Sequence, residues 1–201
     1  MATSLTLGAS GADVNPLLVE STAPHGAPQF TQITNEHYKP AFEQAVREAR
    51  ADIAAIVGNA QAPTFANTIE ALEFSGRRLD RISNIFFNLN EAHTNDTMQA
   101  LALELSPMLT EFSNDVSLDP KLFARVKAVY DRRESLGLNA EQRRLLEKTY
   151  KGFARSGGAL SDGDKKIYRE LTARLSELSL QFNQNSLAAT NAFTLHVTDP
   201  A

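Results

Sequence analysis

Apolar residues recur at every third or fourth position along most of the chain from Thr34 onward, which is the period of helices that bury one face. In the second predicted helix, opened by Thr64, the apolar stripe consists of Ile69, Leu72, Leu79, Ile82, Phe86 and Leu89. In the last, opened by Ser161, it consists of Ile167, Leu171, Leu175, Leu178 and Phe182. The spacing of this last stripe is typical of a seam between packed helices. The pattern predicts an all-α fold, a bundle of about six helices in one helical domain over residues 34–194.

The first predicted helix begins after Thr34 or Asn35 and should end near Val57. Two residues inside later helices affect how those helices pack or run. Gly76 falls within the second stripe, where the missing side chain lets another helix approach closely. Pro107 in the third helix predicts a kink, because proline removes a backbone donor and crowds the preceding turn.

Three later helices carry local start signals. Asp119 followed by Pro120 predicts a start, since the carboxylate caps free amides and proline fits the first helical position. Asn139 and Gln142 have the spacing of a capping box. Ser161 precedes two acids and opens the sixth helix, whose predecessor ends near Ser156.

The two ends of the chain lack the helical period. Residues 1–33 contain several prolines and glycines, so we expect an extended arm with loops. Residues 193–198 alternate apolar and polar side chains, which predicts a short strand. A lone strand has no partner within this chain, so we expect residues 195–201 to be the start of a longer polypeptide.

Residues 1–10 are small, apolar and uncharged, without the basic start of a secretory signal. Residues 7–10 are similar to the end of a bacterial lipoprotein signal, with Ser10 where a cysteine would stand. Two interpretations stay open. One is a terminal tail without a role. The other is the remnant of an export signal, which predicts a periplasmic protein that is a lipoprotein in its native form; without such a signal the location would be cytoplasmic.

The net charge and the length of the apolar runs limit the kinds of partner that we expect for the chain. Among 201 residues, 20 Lys plus Arg stand against 24 Asp plus Glu, a net charge of −4, which disfavours binding to nucleic-acid phosphates. The basic pairs that begin at Arg77, Arg132, Arg143 and Lys165 all have acids nearby, as solvated helix faces do. The longest apolar run, residues 53–57, is far short of the ~20 residues of a membrane span. We therefore expect no nucleic-acid partner and no transmembrane segment.

Few residues suit metal or acid–base chemistry. The chain has no cysteine, which excludes disulfides, thiolate metal sites and thiol nucleophiles. It has four histidines, His25, His37, His93 and His196, and none begins the H-E-x-x-H motif that places two imidazoles and a general base around zinc. We interpret His93 as a hydrogen-bonding group at a helix end and His37 as a surface residue.

Residues 158–165 have the two glycines of a phosphate loop without its other residues. Asp164 and Lys165 stand where that loop needs Lys and then Ser or Thr. Asp162 and Asp164 suit the positive end of the last helix instead, and they lack the later oxygen ligands of a calcium loop. The sequence therefore predicts no catalytic, cofactor-binding or metal-binding residue in this chain.

Five segments in order carry a family resemblance. From about Asn15 to Asn191 the chain resembles the N-terminal region of thimet-oligopeptidase-type zinc metallopeptidases, in particular the bacterial peptidyl-dipeptidase (dipeptidyl carboxypeptidase) and oligopeptidase A branch. No single segment is diagnostic, but their order makes the resemblance specific. The segments are ITNEHYKPAF (33–42), APTFANTIEAL (62–72), FFNLNEAHTN (86–95), LFARVKAVY (122–130) and LNAEQRRLL (138–146).

The resemblance implies a much longer parent enzyme whose helical lobes enclose a deep channel. Its zinc ligands and general base would lie on an H-E-x-x-H helix, with a further Glu, beyond the point where this chain stops. No catalytic position can be carried over to this sequence. The implied role is a non-catalytic N-terminal region of a zinc-dependent peptidyl-dipeptidase, which walls the channel and admits only oligopeptides. Its partners would be the missing C-terminal catalytic region and oligopeptide substrates, from which the parent enzyme would release C-terminal dipeptides.

A second hypothesis is a free-standing helical peptide-binding or scaffold domain without protease activity. An H-E-x-x-H motif downstream in the reading frame would support the first hypothesis, and a stop codon would support the second. Under both, we expect the chain alone to be inactive towards oligopeptides in the presence of zinc.

Overall fold

The computed structural model describes residues 14–196 and residue 198. Within these residues no strand forms, seven α-helices do, and six of the helices have at least 11 residues, so the all-α prediction is confirmed. Short 3₁₀ turns at Pro24–Gly26, Phe30–Gln32 and Arg133–Ser135 and a π-helical turn at Phe65–Glu70 connect them. The helices are α1 (Asn35–Val57), α2 (Ala71–Phe74), α3 (Arg77–Ala92), α4 (Asp96–Ser117), α5 (Pro120–Tyr130), α6 (Ala140–Arg155) and α7 (Asp162–Ala192).

The start signals act as their chemistry predicts. The Asp119 carboxylate accepts hydrogen bonds from the backbone N–H groups of Lys121 and Leu122 at 2.7 and 2.9 Å. Asn139 and Gln142 form a reciprocal capping box, in which each side chain accepts from the other backbone N–H, at 2.9 and 3.2 Å. These bonds satisfy amides that the first helical turn leaves without partners.

The prediction of one uninterrupted second helix is wrong. Its first part is the π-helical turn followed by α2, and the helix ends at Ser75, whose backbone is extended. Gly76 then adopts a left-handed conformation with φ of 67°, which glycine reaches without a Cβ penalty, and α3 begins at the next residue. Gly76 also lies close to α1, since a Cβ placed on it would be 3.5 Å from the Cβ of Ala49. The chain therefore turns where a continuous apolar period predicted that it would run straight.

Two apolar cores hold the helices together. In the first, Phe86 of α3 packs edge-on against Tyr38 and Phe42 of α1, with ring centroids 4.8 and 5.7 Å apart. Helix α4 completes this core. The second core joins the π-helical turn, α5 and α6 through Ile69, Val126, Val129 and Leu146.

The N-terminal arm packs on the first core. Leu17 is 1% exposed and belongs to that core. Arg81 donates from its guanidinium to the Leu17 carbonyl at 2.7 Å, and Asn15 donates from its side chain to the His37 carbonyl at 2.8 Å. The described part of the arm is therefore attached to α1 and α3.

Helix α7 contacts α4 largely through polar side chains, and its Leu180 packs against the first core. Ser176 lies 2.8 Å from Ser106, oxygen to oxygen, and Asn114 donates to the Thr172 hydroxyl at 2.9 Å. The apolar stripe of α7, which its spacing predicts to be a packed seam, is exposed instead: Leu175 is 64% exposed. The prediction is wrong for these residues, because periodicity identifies an apolar face but not whether the described chain supplies a partner for it.

The remaining expectations concern the chain ends. The described residues of the predicted strand, 193–196 and 198, form no strand, and the described part of the chain offers them no strand to pair with. The expectations for residues 1–10 lie outside the described residues, as do residue 197 and residues 199–201 of the predicted continuation. Helix α4 is continuous through Pro107, and the kink there stays a prediction.

Candidate functional site

The four histidines lie on four different segments. His25 is in the first 3₁₀ turn, His37 in the first turn of α1, His93 directly after α3 and His196 beyond α7. Among residues 14–196 and 198, no three His, Asp or Glu side chains are grouped in a way that could hold a metal ion. The donor set of the described chain therefore does not fit a zinc site, which requires three or four converging ligands.

Two of these histidines lie at helix ends. The backbone N–H of Thr34 donates to Nδ1 of His37 at 3.0 Å, so His37 occupies the position that Glu or Gln takes in a capping box. The interpretation of His37 from the sequence, as a surface residue, did not include this capping role. His93 is exposed, and its backbone N–H donates to the Leu89 carbonyl at 2.8 Å, which closes the end of α3.

The glycine-containing segment before α7 is a helix cap. Ser161 accepts a hydrogen bond from the backbone N–H of Asp164 at 3.2 Å, and the N–H of Gly158 donates to the Phe153 carbonyl at 2.8 Å. Asp162 and Asp164 lie in the first turn of α7, where carboxylates favour the positive end of the helix dipole. These two backbone amides are thus used within the segment.

Members of three of the four basic pairs lie against acids. Arg78 binds Glu48 on α1 at 2.7 Å, rather than the neighbouring Asp80. Arg133 lies 3.4 Å from Glu134. All of these side chains are at least partly exposed, which is typical of solvated helix faces.

A cleft between the two cores has a volume of about 590 Å³. Apolar side chains from four helices form much of its wall: Ile53 of α1, Leu79 of α3, Phe112 and Val116 of α4, and Phe153 of α6. A cleft of this size and character is of the kind that accepts an apolar ligand or a peptide side chain.

The polar groups of the cleft are carboxylates and hydroxyls. Glu73 and Asp80 contribute carboxylates, and Ser83, Ser113 and Ser117 contribute hydroxyls. Among the described lining residues there is no histidine or lysine to act as a base for these hydroxyls. The arrangement suits binding of a ligand or packing against another surface.

A charged cluster joins the helices at one side of the bundle. The Asp115 carboxylate of α4 accepts hydrogen bonds from Arg50 of α1 at 2.6 Å and from Arg169 of α7 at 2.8 Å. Partial burial by itself would raise the pKa of Asp115, but the hydrogen bonds and positive charges of the two arginines outweigh it and the pKa is lowered. The cluster is therefore ionised at neutral pH and holds α1, α4 and α7 together.

A buried arginine fixes the loop between α1 and the π-helical turn. Arg125 of α5 is 9% exposed, and its guanidinium donates to the carbonyl oxygens of Asn59 and Gln61 at 2.9 and 3.3 Å and to the Asn67 side chain at 3.3 Å. The sequence contained a signal for it, since Arg125 lies three residues after Leu122 and four before Val129, on the buried face of α5. Its role is structural.

No helix within the described residues is both long enough and apolar enough to cross a membrane.

Comparison with known proteins shows what the chain is related to. No model of a protein family matches it. It is 47% identical to dipeptidyl carboxypeptidase of Escherichia coli over 188 residues, which are 94% of this chain and 28% of that protein. It is 44% identical to dipeptidyl carboxypeptidase of Salmonella typhimurium (92% of this chain, 27% of that protein) and 29% identical to oligopeptidase A of Escherichia coli (93% and 27%).

The chain thus spans little more than a quarter of the length of these relatives. The similarity extends along almost the whole of the 201 residues, so it does not depend on one short motif. It also includes a thimet-like oligopeptidase of Dictyostelium discoideum, at 29% identity over 126 residues. The chain is therefore related in sequence to the dipeptidyl carboxypeptidase and oligopeptidase A proteins of the thimet-oligopeptidase type, and it matches their N-terminal region.

Proposed function

We propose that this chain is the non-catalytic N-terminal helical region of a zinc-dependent peptidyl-dipeptidase, and that it forms part of the wall of a channel that admits oligopeptides. The observation that carries the proposal is the 47% identity over 94% of this chain to a dipeptidyl carboxypeptidase of which it matches only 28%. The parent protein would release dipeptides from the C-termini of oligopeptides.

The physical character of the fold supports a structural role. Two close-packed cores, reciprocal helix caps and a buried arginine make the helices a rigid unit. A rigid wall selects substrates by size, because a folded protein cannot enter a channel that an extended peptide can. Selection of this kind requires no acid, base or metal from the wall itself.

Zinc in such a parent protein would activate water for attack on the peptide bond. The residues of this chain that the structure describes do not fit a zinc site, so the ligands would come from the remaining part of the polypeptide. This chain would bind no zinc of its own and would contribute positioning.

A chimera tests the proposal. The matched N-terminal region of the Escherichia coli dipeptidyl carboxypeptidase is replaced by this chain, and hydrolysis of a quenched oligopeptide is measured with and without a zinc chelator. We expect chelator-sensitive release of C-terminal dipeptides by the chimera and none by the 201-residue chain alone. Zinc-dependent hydrolysis by the chain alone, or a folded chimera without activity, would contradict the proposal.

The cleft of about 590 Å³ favours one alternative, a free-standing peptide-binding domain. Under that alternative, the 201-residue chain should bind fluorescent oligopeptides by itself, and Phe112→Ala in the cleft wall should weaken binding at least tenfold. Absence of measurable binding by the isolated chain would leave the peptidase-region proposal as the better one.

A further inference from the structure

Helix α7 carries exposed apolar residues beside the face that contacts α4. Arg169, Thr172 and Ser176 make hydrogen bonds to α4. At about 100° per residue, Leu171 lies about 130° and Leu175 about 90° around the helix from the centre of that face. The polar face of α7 is thus occupied, whereas the apolar residues beside it remain exposed within the described residues.

We call the exposed face the α7 stripe and define it as Ile167, Leu171, Leu175, Leu178 and Phe182. The exposed fractions of these side chains are 55%, 64%, 64%, 44% and 72%. Their spacing is that of a seam between helices, and contiguous exposed apolar surfaces of this kind mark interaction sites. Scattered surface leucines need no partner, whereas five in register along one helix do.

We infer that the α7 stripe is the surface on which the rest of a full-length polypeptide packs, through an apolar helical face of its own. This inference rests on the proposed function, because it takes the parent protein to be longer than this chain. Its dipeptidyl carboxypeptidase relatives have nearly three quarters of their length outside the matched region. Helix α7 is also the last helix of the described chain, so following residues are tethered directly to it.

The tether favours this occupant over a second copy of the chain. A segment joined to α7 by a short linker is present at an effective concentration in the millimolar range. A second copy would have to associate through a single helix face, whereas stable interfaces bury about 1,600 Å² in total. The continuation of the same polypeptide is therefore favoured over a second copy as the occupant of the α7 stripe.

The absence of cysteine from the chain makes the inference directly measurable. Leu175→Cys introduces a unique thiol into the α7 stripe, and Val14→Cys introduces one at a site 72% exposed on the N-terminal arm. The rate of maleimide labelling at each position is measured by peptide mass spectrometry in the 201-residue chain and in the chimera with the Escherichia coli relative. We expect Leu175→Cys to label at least tenfold more slowly in the chimera, and Val14→Cys to change less than twofold.

Equal labelling of Leu175→Cys in the two proteins would overturn the inference. Slow labelling in the 201-residue chain itself, relieved by dilution, would also overturn it and would assign the α7 stripe to a second copy. A second measurement uses the 201-residue chain alone and does not require a folded chimera. In that chain, the double variant Leu171→Gln and Leu175→Gln should reduce binding of an apolar fluorescent dye at least threefold. The control double variant, Val14→Gln and Phe30→Gln, should not reduce it. Equal effects of the two double variants would count against a contiguous docking surface.

Peptidase activity separates this inference from the proposed function. An active chimera in which Leu175→Cys labels freely would leave the proposed function standing and remove the inference. A folded chimera without activity in which Leu175→Cys is protected would remove the proposed function and leave the packing surface on α7 standing.

Discussion

The carboxylate of Asp115 on α4 accepts a hydrogen bond from the Arg169 guanidinium on α7 at 2.8 Å. Its other oxygen accepts from Arg50 on α1. One acid therefore connects three helices, and its ionisation bears on how firmly α7 is held.

We expect Asp115→Asn to lower the free energy of unfolding by about 1 kcal/mol at pH 7, a small effect because the pairs are partly exposed. The pKa of Asp115 is lowered in the folded protein, so its contribution is present above the unfolded pKa near 3.8 and is lost as the pH falls through the folded value. Urea unfolding in steps from pH 7 downward checks this, since the difference between the two proteins should shrink below about pH 4. A pH-independent difference, or an equal one for the exposed control Glu170→Gln, would argue against it.

Arg125→Met should lower the free energy of unfolding by about 2–3 kcal/mol, because two carbonyl oxygens lose their charged donor. Arg125→Lys should restore only part of the loss, since Nη1 donates to both carbonyl oxygens and Nη2 to the Asn67 side chain, and one ammonium cannot replace both nitrogens. Chemical denaturation measures both, with the exposed Arg143→Met as a control that we expect to stay within about 0.5 kcal/mol of the parent. If Arg125→Met and Arg143→Met behaved alike, Arg125 would not be fixing the loop.

Two glycine-to-alanine substitutions should have opposite signs. Gly76→Ala places a Cβ at φ of 67° and should destabilise the chain by about 1–2 kcal/mol. Gly152→Ala lies inside α6, where a Cβ would meet nothing within 4 Å, and should stabilise the chain by up to about 1 kcal/mol. Thermal unfolding of the pair checks the break between α2 and α3; equal shifts in Tm would mean that the chain does not turn at Gly76.

Substitution of two phenylalanines distinguishes the buried first core from the exposed α7 stripe. Phe86→Ala removes a side chain that is 0% exposed and packs against Tyr38 and Phe42, so we expect a loss of about 3–5 kcal/mol. Phe182→Ala removes one that is 72% exposed and should change the stability of this chain by less than about 0.5 kcal/mol. A large loss at Phe182 in the monomeric 201-residue chain would show that the described helices already cover it.

The fold was predictable wherever a local signal determines the structure. Asp119 and Asn139 act on amides within three residues of themselves, so their caps follow from the sequence alone. Gly76 was harder, because the apolar period continues across it and only its backbone angle reveals the turn. The charge of Arg125 is typical of a solvated position, and only its spacing from Leu122 and Val129 indicates the buried face.

The candidate surfaces required three-dimensional information. The periodicity correctly located the apolar side of α7, but it does not specify which neighbour, if any, covers that side. The cleft between the cores combines Ile53 with Phe153, which are a hundred positions apart along the chain, and no local pattern joins them. The family resemblance rests on segments in order rather than on site residues, and that is why it was accessible before the structure.

The polar character of the α4–α7 contact has a consequence for local unfolding. Helix α7 has no fully buried residue, and hydroxyl, amide and guanidinium groups make much of its attachment. Water competes directly for such contacts, so α7 can detach while both cores stay intact, and its amide hydrogens should exchange well before those of α1 or α3. In a longer protein that covers its other face, the same amides would be protected, and the exchange rate of one helix would then report whether the two parts of the polypeptide are assembled.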